Sequence, residues 1–115
     1  MSWTPRAVVI SGYKIPNHIW RKGFEYYEDH LDLPGEWEDY FISLDSWRAD
    51  PETFFGAIIH SVDIDSPAKE FNSIIAHQAV IENVQYAFHS IFDPIYICAQ
   101  EPLPQYSKYL GCQWV

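Results

Sequence analysis

The sequence predicts a single α+β domain, built in the order strand, helix, strand, strand, helix, strand. The chain has 115 residues, a common length for one domain, and 48% of them are hydrophobic, enough for a core without disulfides or metals. Two stretches repeat apolar residues at helical spacing, and four shorter stretches are apolar or alternating, as strands are. No segment has the composition of a linker, so we predict one domain over residues 1–115.

The first strand and the first helix are predicted from the N-terminal part of the chain. Residues 7–15 begin as a continuous, β-branched apolar run, which is typical of a buried strand. Pro16 ends this run, and Asn17 is a residue type that often caps the start of a helix. A helix is predicted from about His18 to about Leu31, because four apolar residues share one face: Trp20, Phe24, Tyr27 and Leu31.

A hairpin is predicted in the middle of the chain. Residues 39–47 alternate, with Ile42 and Leu44 facing one way and Phe41 the other, as expected of a half-buried strand. Residues 54–62 begin apolar on both faces, which predicts a central strand. The short polar segment between them has the composition of a turn, so the two strands can pair.

The second helix carries the most regular apolar pattern. Ser66 and Pro67 suit its first positions, and it is predicted to run to about Phe92. We expect Asp93-Pro94 to end it, residues 95–99 to form a short fourth strand, and residues from about 100 to 115 to form an irregular aromatic tail. The core stripe of this helix consists of Ile74, His77, Ile81, Val84, Phe88 and Ile91.

This order of elements is the split β-α-β order of the ferredoxin-like fold. In that topology the four strands form an antiparallel sheet, and both helices pack on one of its faces. We therefore expect a two-layer sandwich with its core between the helices and the sheet.

The net charge of −9 is concentrated in one part of the chain. The segment from Glu25 to Glu52 contains ten acidic residues and one basic residue, Arg48, so it accounts for the whole net charge. An acidic surface repels nucleic acids and anionic membranes, and it attracts basic proteins. We therefore expect a basic protein as the partner, and no direct contact with nucleic acid or with a membrane.

Acidic and aromatic residues are interleaved in the first half of this segment, which predicts a recognition surface. Carboxylates speed the association with a basic partner, and aromatic side chains often provide much of the binding energy. The alternative is that these acids only keep the protein soluble. The predicted partner-binding residues are Glu25, Glu28, Asp29, Asp32, Glu36, Trp37, Glu38, Asp39 and Tyr40.

An alternative site is a pocket around His60 and His77, with Tyr13 and Tyr96 as further lining residues. His77 lies on the apolar stripe of the predicted second helix, where a histidine is either a core residue bonded to the backbone or a catalytic base. We expect the first of these roles, and hence that His77→Leu leaves the fold intact or stabilises it.

Motifs that would indicate a cofactor or a metal are missing from the sequence. The five glycines are scattered rather than gathered in a phosphate-binding loop, and there is no CxxC, HExxH or GxSxG. His60, Asp63 and Asp65 have a metal-like spacing, but the alternation along a strand puts His60 on the opposite face from the two carboxylates. We predict no cofactor and no metal site.

The two cysteines and the N-terminal sequence predict a cytoplasmic protein. The first residues lack the apolar stretch of a signal peptide. Cys98 lies in an apolar run, which predicts a buried thiol, whereas Cys112 lies near the end of the chain and is expected to be exposed. We predict that both are reduced.

Small size, acidity, many aromatic residues and the lack of catalytic motifs favour a binding protein over an enzyme. This profile is similar in type to toxin-neutralising immunity proteins and phage-encoded inhibitors, so the expected partner is a toxin or another nucleic-acid-binding protein. Two alternatives stay open. One is a small enzyme or ligand-binding domain, and the other is a subunit that pairs with itself through an edge strand or its aromatic tail.

Overall fold

The computed structural model describes residues 5–44, 51–63 and 74–114, which form four strands, two α-helices and a short 3-10 helix. In chain order these are β1 (Pro5–Lys14), α1 (Asn17–Asp29), the 3-10 helix (Gly35–Tyr40), β2 (Phe41–Leu44), β3 (Glu52–Asp63), α2 (Gln78–Ala99) and β4 (Ser107–Trp114). The predicted α+β class, with two main helices, is confirmed.

All four strands belong to one antiparallel sheet with the order β2-β3-β1-β4. The two central strands, β3 and β1, are also the longest, and a bulge shifts their register between Val9 and Ile10. Because β2 and β3 pair directly, the predicted hairpin is confirmed. An antiparallel sheet with two main helices is compatible with the predicted two-layer sandwich.

The main core lies between the sheet and the two helices. Phe55 on β3 meets Phe92 of α2 edge to face, with 5.3 Å between the ring centroids, and Phe88 lies next to both rings. Gly23 of α1 packs against the Phe92 ring, since a Cβ atom at this position would lie 2.3 Å from Phe92 Cε1. The absent side chain therefore allows α1 to approach α2 closely.

The opposite face of the sheet has a second, smaller core. Phe54 follows the alternation away from Phe55 and packs with four apolar residues of β1 and β2: Val8, Ile10, Ile42 and Leu44. The edge strands β2 and β4 contact each other across this face, and a Cβ atom on Gly111 would lie 2.3 Å from Leu44 Cδ1. The sheet is thus coiled strongly enough to bury part of its own second face.

One cross-strand pair requires glycine on both strands. Gly12 and Gly56 are directly paired, and a Cβ atom on Gly12 would lie 2.5 Å from Gly56 Cα. Side chains at this point would force the two central strands apart, so the pair allows the close approach that accompanies strong coiling.

The first helix ends earlier than predicted. α1 ends at Asp29, and Leu31 is 95% exposed rather than part of a core stripe. Asn17 is the first helical residue instead of the cap, and Pro16 precedes it with no side-chain hydrogen bond at the cap position. The carbonyl of Pro16 accepts the backbone N–H groups of Ile19 and Trp20, so the backbone itself begins the helix.

The second helix begins later than predicted. α2 starts at Gln78, so Ile74 and His77 precede it and do not belong to a helical core stripe. His77 occupies the cap position, where its Nδ1 accepts the backbone N–H of Ala79 at 3.3 Å. The predicted start at residues 66–67 lies outside the described residues.

The same helix also continues beyond its predicted end. Pro94 lies inside α2, and residues 95–99 are helical rather than a fourth strand. The proline removes one backbone hydrogen bond, but its ring is exposed, and the buried side chains of Phe92 and Tyr96 on either side hold the helix in place. Tertiary packing therefore outweighs the local signal for a break.

The fourth strand lies in the region predicted to be an irregular tail. β4 pairs with β1 along its length, with Tyr109 opposite Ile10 and Gly111 opposite Val8. A weakly apolar segment such as this becomes a strand because the edge of β1 offers it backbone hydrogen-bonding partners.

Candidate functional site

Seven acidic side chains between Glu25 and Asp39 are all exposed, and we call this set the acidic segment. Its first members lie on α1 and its last members lie on the 3-10 helix. A turn joins the two helices, and the Tyr27 hydroxyl donates a 2.7 Å hydrogen bond to the Pro34 carbonyl across it. The acidic segment consists of Glu25, Glu28, Asp29, Asp32, Glu36, Glu38 and Asp39.

None of these seven carboxylates forms an ion pair with another described residue. Among residues 5–44, 51–63 and 74–114, the acids with a basic partner are others: Glu52 forms an ion pair with Lys14, and Glu101 and Asp93 are hydrogen-bonded to His18 and His89. The last turn of α1 contains no basic residue, so the acids there lie at the negative end of the helix dipole without compensation. These charges therefore do not stabilise the helix that carries them.

The two aromatic residues predicted to anchor a partner lie deeper than expected. Trp37 is only 6% exposed and belongs to the main core, so its ring is not available as an anchor. Tyr40 is half-buried against Phe55, with 5.6 Å between the ring centroids. Burial, followed by the charges of Glu36 and Asp39, raises the pKa of the Tyr40 hydroxyl. The burial of Trp37 serves the fold, because its ring attaches the 3-10 helix to the main core.

Two exposed apolar side chains near these elements were missed by the sequence reasoning. Leu31 follows α1, and Tyr86 of α2 is 70% exposed, with its ring 5.9 Å from that of Trp37. Tyr86 lies two positions from Val84 and Phe88 on either side, so its place off the core stripe was visible in the helical spacing. Leu31 could not be recognised, since its exposure depends on where α1 ends.

The four residues of the alternative pocket do not surround one site. His77 precedes α2 and Tyr96 lies near its end, so the rise of about 1.5 Å per residue separates them by about 28 Å. His60 pairs with Val9, which lies about 13 Å along β1 from Tyr13. His77 is also exposed. It is therefore neither a buried base nor a core residue, the two roles that the sequence suggested.

Tyr13 and Tyr96 both lie beside Phe88 in the main core. The Tyr13 ring stacks on Phe88 with 3.8 Å between centroids, and the Tyr96 ring lies 6.1 Å from it. Burial is the main cause that raises the pKa of each phenol to about 12. Nearby, the hydroxyl groups of Ser11 and Tyr106 are hydrogen-bonded to each other.

Two cavities flank the hydrogen bond between His18 and Glu101. The larger, of about 1130 Å³, lies at the start of α1 and is lined by both acidic and basic side chains, among them Lys14, Arg21 and Glu52. The smaller, of about 360 Å³, lies at the end of α2. His60 and His77 line neither of these two cavities.

The described residues contain two exposed thiols and no metal site. Within the described ranges, no group of three His, Cys, Asp or Glu side chains is arranged to hold a metal ion. Asp65, which shares a metal-like spacing with His60 and Asp63, lies outside those ranges. Cys98 is exposed rather than buried, because it lies on the outer side of α2, and both Cys98 and Cys112 are free thiols.

No protein-family model, curated protein or solved structure matches this chain. In the described part of the molecule, no helix combines the length and the apolar character that crossing a membrane requires.

Proposed function

We propose that this protein is a non-enzymatic binding protein that blocks a basic protein partner, as toxin-neutralising immunity proteins and phage-encoded inhibitors do. The observation that supports this proposal is the acidic segment, in which seven carboxylates are exposed and none forms an ion pair with a described residue. Carboxylates that lie unpaired on the surface are available to a cationic partner, and their combined field speeds its approach.

The proposed surface differs from the one expected from the sequence in its apolar contacts. Leu31 and Tyr86 are exposed, whereas Trp37 is buried, so we propose the first two as the apolar contacts of the partner. A few apolar side chains surrounded by charged ones are a common arrangement at protein interfaces.

The experiment is a pull-down with the native protein and with a variant that carries Glu25→Gln, Glu28→Gln, Asp29→Asn and Asp32→Asn. We expect the native protein to capture a basic protein at about 150 mM salt, where the Debye length is about 8 Å, and to lose most of it at about 1 M salt, where the Debye length is about 3 Å. The partner is then purified, and its activity is measured with and without each protein. We expect the native protein to inhibit and the amide variant not to inhibit.

Glu28→Gln and Glu82→Gln form a matched pair, because each removes one negative charge from an exposed helical position and only Glu28 belongs to the acidic segment. Equal capture and inhibition by the native protein and the folded amide variant would show that the acidic segment is only a solvated face. Failure to capture any basic protein would also contradict the proposal.

We further propose that the topology is ferredoxin-like and that the protein acts in the cytoplasm. The strand order β2-β3-β1-β4, with every neighbouring pair antiparallel, supports the first proposal. Two exposed free thiols support the second, because a reducing compartment keeps such thiols from pairing. Self-association through an edge strand, β2 or β4, is the alternative that a sizing column tests directly.

A further inference from the structure

The larger cavity lies at the start of α1 and adjoins the acidic segment. Its volume of about 1130 Å³ exceeds that of most small-ligand pockets, which measure about 300–1,000 Å³. Ile15 and Thr53 line it and connect β1 with β3, because the Ile15 N–H donates to the Thr53 carbonyl at 3.0 Å and the Thr53 hydroxyl donates to the Ile15 carbonyl at 2.6 Å. Both residues are buried, so this part of the lining is fixed by the fold.

Basic side chains are concentrated in the lining of this cavity. The described residues include five lysines and arginines: Arg6, Lys14, Arg21, Lys22 and Lys108. Three of the five line the cavity. Lys14 forms an ion pair with Glu52, whereas Arg21 and Lys22 form no ion pair with a described residue. Two unpaired cations and one unpaired carboxylate, that of Glu25, therefore border a cavity that is locally positive on a chain of net charge −9.

The exposed face of α1 changes its sign of charge along the helix. At about 3.6 residues per turn, five exposed charged residues share a sector of about 120° of the helix: Arg21, Lys22, Glu25, Glu28 and Asp29. The cations lie in the half near the cavity, and the carboxylates follow them. The helix dipole favours the reverse distribution, so these charges do not stabilise the helix. A partner that lies along this face meets a positive region directly beside a negative one.

The cavity is continuous with the proposed binding surface. Glu25 belongs both to the acidic segment and to the lining of the cavity, so a protein bound to the acidic segment also lies over the cavity. A basic protein carries some acidic side chains, and one that enters here meets unpaired cations. Arg21 suits this contact, since a planar guanidinium group can donate two parallel hydrogen bonds to one carboxylate.

We propose that this cavity binds a single oxyanion, supplied by a carboxylate side chain of the basic partner. Arg21 and Lys22 donate hydrogen bonds to this carboxylate, and the negative charge of Glu25 disfavours ligands with several negative charges. The contact fixes the orientation of the partner, because reversal along α1 would place its carboxylate against the acidic segment. The partner as the source of the oxyanion rests on the proposed function above, whereas the cavity's preference for an oxyanion does not.

The test uses the whole protein, labelled with ¹⁵N, and small probes at constant ionic strength. N-acetyl-glutamate methylamide is titrated into the protein, and N-acetyl-glutamine methylamide serves as the uncharged probe of nearly the same shape. We expect the glutamate probe to cause saturable shifts in the amide signals of Ile15, Arg21 and Lys22, and the glutamine probe to cause none. Absence of shifts with the glutamate probe, or equal shifts with both probes, would overturn the proposal.

Inorganic phosphate is the third probe, and it separates the two sources of an oxyanion. Saturable binding of the glutamate probe at these residues would show that the cavity accepts a carboxylate attached to a peptide, as the proposal requires. If phosphate binds there and the glutamate probe does not, the cavity takes a free oxyanion, and a carboxylate of a protein partner is excluded as its ligand.

Arg21→Gln and Arg6→Gln are the matched variants, because each removes one positive charge from an exposed position and only Arg21 lines the cavity. We expect Arg21→Gln to weaken binding of the glutamate probe about fivefold, the loss expected for an exposed ion pair, and Arg6→Gln to leave it unchanged. Arg21→Lys retains the charge and should bind more tightly than Arg21→Gln. Equal affinities of Arg21→Gln and Arg6→Gln would exclude Arg21 as a contact of the oxyanion.

Glu25→Gln distinguishes this proposal from the proposed function. The substitution removes the unpaired carboxylate from the cavity, so we expect the glutamate probe to bind more tightly, whereas capture of a basic protein should weaken. Weaker binding of the glutamate probe would contradict the proposed role of Glu25. The titrations need no partner, so failure to capture a basic protein would contradict the proposed function alone, and failure of the glutamate probe to bind would contradict the oxyanion site alone.

Discussion

At the scale of single residues, Gly23 shows how one missing side chain sets the distance between α1 and α2. A Cβ atom there would lie 2.3 Å and 2.4 Å from two carbons of the Phe92 ring, which is fully buried. Alanine is the better helix former by about 1 kcal/mol, whereas overpacking a core costs about 1–3 kcal/mol. The steric term is therefore expected to outweigh the gain in helix propensity.

We predict that Gly23→Ala lowers the free energy of unfolding by up to about 2 kcal/mol, as measured by urea denaturation. Gly35→Ala is the control, because a Cβ atom on Gly35 meets nothing within 4 Å. The control is expected to change the free energy of unfolding by less than about 0.5 kcal/mol. A Gly23→Ala protein more stable than the native one would show that the helices can move apart at little cost.

The phenols of Tyr13 and Tyr96 predict a loss of stability in alkaline solution. Burial raises the pKa of each to about 12 in the folded protein, whereas an exposed phenol in the unfolded chain titrates near 10.0. Between these values the unfolded chain releases protons that the folded protein retains, so the free energy of unfolding falls as the pH rises. The stabilisation is complete below about pH 10 and is lost as the pH passes about 12.

This prediction is checked by urea denaturation at several pH values between 9 and 12. A double variant, Tyr13→Phe with Tyr96→Phe, should lose less stability over this range than the native protein does. Tyr86→Phe is the control, because Tyr86 is 70% exposed, and it should follow the native curve. Parallel curves for all three proteins would mean that both phenols titrate alike in the folded and unfolded chains.

At the scale of elements, α2 shows that tertiary packing can outweigh local sequence signals. The apolar spacing correctly identified the buried positions Val84, Phe88 and Ile91. The same spacing extended the stripe backward to Ile74 and His77, which precede the helix. Periodicity therefore identified the helix and its buried face, whereas the cap and the packing decided where it starts and ends.

His77 caps α2, and this role reverses the expectation for its substitution. Its Nδ1 accepts the Ala79 N–H, so leucine at this position removes the cap and gains no core packing in return. We predict that His77→Leu lowers the free energy of unfolding by about 1 kcal/mol. His77→Asn, which keeps a capping side chain, should unfold like the native protein, as measured by urea denaturation. Equal stability of the leucine variant would show that the cap contributes nothing.

At the scale of the whole molecule, the charge distribution is unfavourable for stability. The net charge of −9 comes from one segment, and the carboxylates of the acidic segment lack described ion-pair partners. Like charges that lie close together repel, and added salt weakens this repulsion. The presence of such a cluster, despite its cost in stability, is consistent with a role of these charges in binding rather than in folding.

We predict that the free energy of unfolding of the native protein rises between about 10 mM and about 100 mM NaCl, as the Debye length falls from about 30 Å to about 10 Å. The variant with amides at Glu25, Glu28, Asp29 and Asp32 should be more stable than the native protein at the lower concentration and should respond less to salt. Urea denaturation of both proteins measures the difference. Identical salt responses would show that these carboxylates do not repel one another.

By itself, the sequence determined the α+β class, the hairpin, the two main helices and the location of the charge, because apolar periodicity and composition are local properties. Tertiary structure decided the rest. The pairing of β4 with β1, the continuation of α2 through Pro94 and the burial of Trp37 each depend on a neighbour that is distant in sequence.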